Sequence, residues 1–81
     1  MRVRVKLFAV AKDRLGRDFV EIELPQAATA RQLRGALVEQ FPPLADVMRH
    51  ARLAVNNEYA LDSTAISAVA EVAIIPPVSG G

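Results

Sequence analysis

The residues best suited to chemistry in this chain are its last eight, Ile74-Ile75-Pro76-Pro77-Val78-Ser79-Gly80-Gly81. Proline fixes φ and has no N–H to give a ladder, so Pro76 and Pro77 end the strand before them and send the chain onward extended. Gly80 and Gly81 carry no side chain and can pass a slot too narrow for any other residue. Stretched out, Val78 to Gly81 reaches about 13–14 Å beyond Pro77. A carboxylate at the end of such a tail is ionised at neutral pH, and as an anion it is a poor electrophile. Adenylation with ATP would turn it into a mixed anhydride, and a sulfur nucleophile displacing AMP would leave a thiocarboxylate. The plainer alternative is a frayed end with no task.

Other chemistries find little support. There is no cysteine, hence no disulfide framework, thiolate metal site or cysteine nucleophile. His50 is the sole histidine; it reads more readily as a surface or capping group beside a helix end than as a catalyst. No acidic cluster has metal-ligand spacing, and the four glycines are too dispersed for a phosphate loop. Ten basic residues against nine acidic ones leave a net charge of +1 without a basic run, which argues against nucleic acid as a partner. Met1 to Val10 alternates charged and apolar residues, unlike a signal peptide, and no apolar run approaches the ~18 residues of a membrane span. The expected location is cytoplasmic. Apolar residues make up 52% of the chain, above the ~45–50% usual for soluble domains even with glycine left out. That excess hints at surface kept for a partner.

The elements that must carry the tail follow from periodicity. Arg2 to Val10 has period two, with Val3, Val5, Leu7 and Ala9 on one face and Arg2, Arg4, Lys6, Phe8 and Val10 on the other, which predicts a half-buried strand. A short helical turn over Lys12–Leu15 closes at Gly16. Phe19 to Leu24 alternates again, with Val20, Ile22 and Leu24 inward. Thr29 with Gln32 three residues on predicts a capping box, and Ala30, Leu33, Leu37 and Phe41 recur at helical spacing until Pro42 and Pro43. Gly35 inside that helix implies close approach to a neighbour. Leu44 to His50 predicts a second short helix, Arg52 to Val55 a strand, Asn56-Asn57 a turn with positive φ, and Tyr59 to Leu61 a return strand. The last strand is Glu71 to Ile75. The sum is an α+β domain over residues 1–75, a mixed sheet of four to five strands covered by one main helix, followed by an extended tail over 76–81.

Three large residues, Phe8, Tyr59 and Ile75, fall on sheet positions whose neighbours by parity are charged. On pattern alone an interface and single exposure weigh equally.

Four stretches carry a family resemblance: KLFAVAKDRLG (6–16), TARQL (29–33), LAVNNEYA (53–60) and EVAIIPPVSGG (71–81). Nearly end to end, the chain resembles the MoaD-type small subunits of molybdopterin synthase, a branch of the ubiquitin-like β-grasp sulfur carriers. A bare Gly-Gly also fits thiamine-pathway carriers and ubiquitin-like modifiers; the Pro-Pro-Val-Ser-Gly-Gly form resembles the molybdopterin branch.

The resemblance implies a sulfur carrier that binds no cofactor of its own. An E1-like enzyme would adenylate Gly81 with ATP, and a persulfide protein would supply sulfur. The thiocarboxylate tail would insert into the large subunit of molybdopterin synthase and donate sulfur to cyclic pyranopterin monophosphate, two small subunits sitting on a dimer of large ones. Catalytic groups would belong to the large subunit. By position, Pro76, Pro77, Val78, Ser79 and Gly80 would line the insertion path; Phe8, Tyr59 and Ile75 would form the hydrophobic partner face; Lys12 would pair with an acid on the activating enzyme. Two departures stand out. Ser67-Ala68-Val69-Ala70 replaces an acidic, glycine-containing turn, putting its geometry in question, and Ile74 and Ile75 replace aromatics, implying a differently shaped partner pocket. The competing reading from another class is a ubiquitin-like modifier joined to lysines; thiamine or tRNA thiolation is a further acceptor pathway.

Overall fold

The computed structural model describes residues 1–77. Strand β1 (Arg2–Leu7) buries Val3, Val5 and Leu7 and exposes the residues between them. It pairs antiparallel with β2 (Phe19–Glu23), Val5 opposite Val20 and Lys6 opposite Phe19. The two are joined by helix α1 (Ala9–Leu15), which Gly16 closes at φ 65° with its N–H on the Lys12 carbonyl at 2.7 Å.

The predicted strand to Val10 is corrected here. The chain leaves the sheet at Phe8, turns at Ala9 with φ 49°, and starts the helix three residues earlier than Lys12–Leu15 implies. Small apolar residues alternate as well in a helix as in a strand. What decides is Ala11, wholly buried once the segment coils onto the core, with Leu15 packed beside it.

Helix α2 (Ala30–Gln40) opens on the expected capping box: the Thr29 hydroxyl accepts from the Gln32 N–H, and the Thr29 N–H donates to Gln32 Oε1 at 2.8 Å. Leu33 and Leu37 are completely buried against the sheet, with Ala30 beside them. Gln40, at the other end, exchanges two hydrogen bonds with the backbone of Glu23 and so fastens the helix to the outer edge of β2. Gly35 faces solvent, and a methyl built on it would meet nothing within 4 Å, so among the described residues the expected close approach to a neighbour is not made. A glycine in mid-helix lowers stability by about 0.5–1 kcal/mol relative to alanine, and here the fold gives nothing back for it.

After a 3₁₀ turn at Pro42–Leu44, helix α3 (Ala45–Met48) buries Val47 and Met48, as Leu44 before it is buried. Arg34 reaches from α2 to cap it, donating to the carbonyls of Met48 and Ala51 at 2.8 and 3.0 Å. Strand β3 (Arg52–Val55) runs into Asn56 and Asn57, whose φ of 52° and 68° suit asparagine, and returns as β4 (Glu58–Tyr59). The return strand stops before Leu61 because the Thr64 hydroxyl takes the Leu61 N–H at 2.9 Å and closes a turn.

Ser67–Ala70 forms its turn without glycine: the Ala70 N–H reaches the Ser67 carbonyl, Ser67 Oγ accepts from Val69, and no residue there has positive φ. Strand β5 (Val72–Ile75) begins one residue later than expected, Glu71 being tied instead to Asn56 by two hydrogen bonds.

The five strands make one mixed sheet in the order β2-β1-β5-β3-β4, with β1 and β5 parallel and the other pairs antiparallel. The helices cover one face. This is the ubiquitin-like β-grasp arrangement, and its core gathers Val3, Val5, Ile22, Leu33, Leu53 and Ile74 among others.

Candidate functional site

Strand β5 is central, so the tail starts from the middle of the sheet rather than from a frayed edge. The parallel register Leu7–Ile74 carries Phe8 alongside Ile75, while the antiparallel register sets Arg52 opposite Ile75. The exit of the chain is therefore flanked by Phe8 on one side and Arg52 on the other. Pro76 is half-buried; Pro77 is exposed and borders a hollow formed by Val10, Arg14, Asp46, Val47 and His50. The expected tail residues Val78, Ser79, Gly80 and Gly81 lie outside the described residues.

The sheet face away from the helices is where the three outward residues meet. Register aligns one row across all five strands: Phe19, Lys6, Ala73, Ala54 and Tyr59. The two alanines lower the middle of that row. Phe8 and Ile75 border one hollow with Ala54 and Ala73, and Tyr59 and Ile75 border the next, sharing Ala54 and Asn57. Phe8 is 47% and Tyr59 57% exposed, so each keeps about half of its surface in water. Ile75 is half-buried. Ile74, by contrast, is wholly buried among the helices, so of the two isoleucines only Ile75 can shape a partner's pocket.

Two arginines go beyond the residues singled out by sequence parity. Arg52 lies over the Tyr59 ring at 4.0 Å and Arg4 over Phe19 at 3.9 Å, cation–π contacts that hold both rings against the sheet. Ala54 and Ala73, the floor, were also missed. Ala73 shares parity with Ile75, which was a usable signal, but nothing in the sequence says that Ala54 lies next to it.

Lys12, on α1, stands on the other side of Phe8, where it lines a hollow of about 440 Å³ together with Arg4, Lys6, Phe19 and Asp18. Its Nζ meets Asp18 at 2.8 Å. That hydrogen bond, and then the Asp18 charge, raise the lysine above its ordinary pKa. Both partners are exposed, so the pair is screened and can be exchanged for another acid.

Among the described residues no three His, Asp or Glu groups converge as a metal site, and no polar or charged side chain is buried. None of the helices there is long and apolar enough to cross a membrane. The arrangement offers a surface and, beside it, the root of the tail at Pro76 and Pro77.

Residues 5–81 match the ThiS family. The molybdopterin synthase sulfur carrier subunit of Arabidopsis thaliana is 37% identical over 81 residues, spanning all of this chain and 84% of the relative. That of Dictyostelium discoideum is also 37% identical, over 96% of this chain and 94% of its own. Among solved structures, small archaeal modifier protein 1 of Haloferax volcanii superposes with a TM-score of 0.85 at 31% identity, covering the whole of both chains.

Proposed function

Because the chain belongs to the ThiS family, alongside the sulfur carrier subunits of molybdopterin synthase, we propose that it is itself such a subunit, carrying sulfur on the carboxylate of Gly81. The observation that best supports this reading is the placement of the tail root. Pro76 and Pro77 leave the central strand beside an exposed apolar face, so a partner that covers Phe8, Ile75 and Tyr59 receives the tail at a fixed point.

The chemistry proceeds in balanced steps. An E1-like enzyme joins the Gly81 carboxylate to AMP from ATP and releases pyrophosphate. The outer sulfur of a protein persulfide attacks the acyl carbon and AMP leaves, giving an acyl disulfide; a second thiol then attacks the inner sulfur, which releases the thiocarboxylate and leaves the two thiols joined as a disulfide. In the large subunit, the thiocarboxylate sulfur attacks a carbon of cyclic pyranopterin monophosphate and displaces an oxygen substituent there; water then hydrolyses the resulting thioester at its acyl–sulfur bond, leaving sulfur on the pterin and freeing the carrier as a carboxylate ready for another cycle. Val78 and Ser79 line the path, Gly80 gives clearance, and acid–base groups come from the large subunit. Lys12 exchanges Asp18 for an acid of the activating enzyme. The carrier works in the cytoplasm, where ATP is at hand, as two copies on a dimer of large subunits.

The likeness to small archaeal modifier protein 1 favours a second reading, in which a lysine amine attacks the same adenylate and forms an isopeptide bond. Intact-protein mass spectrometry of the native chain separates the two. A species heavier by the difference between sulfur and oxygen, absent after deletion of Gly81 and consumed by pyranopterin with the large subunit, supports the carrier. Lysine-linked adducts with no thiocarboxylate would overturn it.

A further inference from the structure

On the side of the molecule opposite the exposed sheet face, α2 and α3 border a shallow groove with an apolar floor and a cationic rim. Val38 and Met48 form the floor, Gly35 leaves helix backbone bare between them, and Arg31, Arg34 and Arg49 stand around it. Among the described residues neither Arg31 nor Arg49 has a carboxylate within 4 Å; the ion pairs there are Arg2–Glu23, Lys12–Asp18 and Arg14–Asp46. Asp46, the nearest acid on α3, is turned away to Arg14 of α1. Arg34 is held by the carbonyls of Met48 and Ala51, which fixes one guanidinium at the groove while its remaining donors stay available.

Gly35 adds an independent observation. Among the described residues nothing lies within 4 Å of a methyl built on it, although glycine weakens the helix there. A bare stretch of helix flanked by apolar side chains and three guanidinium groups suits an inserted apolar side chain whose neighbours are carboxylates.

We propose that this groove docks an acidic amphipathic helix of a partner protein, its apolar stripe seated over Gly35 between Val38 and Met48 and its carboxylates on Arg31 and Arg49. The chemistry of the floor excludes the simpler occupants. A small inorganic anion leaves Val38 and Met48 wet, and a nucleic acid finds no aromatic in the groove on which to stack a base. Since the helices and the outer sheet face lie on opposite sides of the sheet, a partner held here leaves Phe8 and Ile75 uncovered. The carrier can then be retained by one protein while it delivers to another.

The test is an NMR titration of the isotope-labelled full chain with three probes: a synthetic helical peptide with leucines at i and i+4 flanked by glutamates, the same peptide with lysines for glutamates, and a single-stranded oligonucleotide. The proposal expects the glutamate peptide to shift Arg31, Gly35, Val38 and Arg49 while Ala54, Ala73 and Ile75 stay still, with affinity falling as salt is added. Gly35→Leu, which fills the space without touching the core, and the double change Arg31→Glu with Arg49→Glu, should each weaken that binding by about tenfold or more. Absence of these shifts, equal binding of the lysine peptide or the oligonucleotide, or unaltered binding by Gly35→Leu would overturn it.

Discussion

The two faces of the sheet are built by the same strands with the same alternation, yet they are finished differently. On the inner face Val3, Val5, Ile22, Leu53, Val72 and Ile74 are all essentially buried, and nothing polar joins them. On the outer face Phe8, Tyr59 and Phe19 stand beside alanines, and arginines lie over two of the three rings. The inner face is closed by the chain's own helices. The outer face keeps apolar area in water, held in place by cation–π contacts rather than by packing. Burial in a folded core stabilises the chain at once, whereas apolar surface left exposed gives its free energy only when a partner covers it. A residue's face in this sheet therefore foretells which measurement will register its loss.

The sharpest break of that contrast is on the inner side. Leu33→Ala or Ile74→Ala removes a wholly buried side chain and should lower unfolding free energy by ~2–5 kcal/mol in a denaturant titration, a large share of the ~5–15 kcal/mol available to a small domain. On the outer side, Phe8→Ala and Ile75→Ala should each weaken calorimetric binding to the large subunit by ~1–3 kcal/mol with a smaller change in the unfolding midpoint. Unchanged affinity in both would remove the outer face from the interface. Away from both faces, Gly35→Ala should raise stability by about 0.5–1 kcal/mol, since the space above it is open and its backbone is helical. The smallest effect belongs to Lys12→Ala. Its pKa is raised in the folded state, so whatever the Asp18 pair contributes is present below the ordinary lysine range and is lost only as pH climbs through the raised value. Wild type should thus keep whatever margin it has over the variant unchanged across neutral pH, and the two should converge in alkali.

Much of the fold was legible in the chain. Period-two alternation in Val3-Val5-Leu7 and Val20-Ile22-Leu24 set the strand faces, Thr29 with Gln32 marked the helix start, and Asn56-Asn57 marked the hairpin, because each of these rests on neighbours close in sequence. The misreadings have one cause. Ala9 and Val10 alternate as a strand does, but Ala11 has a buried seat only if the segment coils, and that seat is made by distant residues. Gly35 was read as a contact point because helical glycines commonly are, while the only evidence that the space is open is the position of every other element.

The sequence by itself determined the secondary elements, the polarity of each face and the composition of the tail, since all of these follow from side-chain type and local spacing. Tertiary structure alone decided that Phe8, Ile75 and Tyr59 share one surface, that alanines from β3 and β5 floor it, and that the tail leaves from its midst. The physical reason is strand register. Hydrogen-bond pairing between β1, β5, β3 and β4 links residues up to some seventy positions apart, from Lys6 to Ala73, and that pairing is chosen by how the whole core packs and not by any stretch of chain alone.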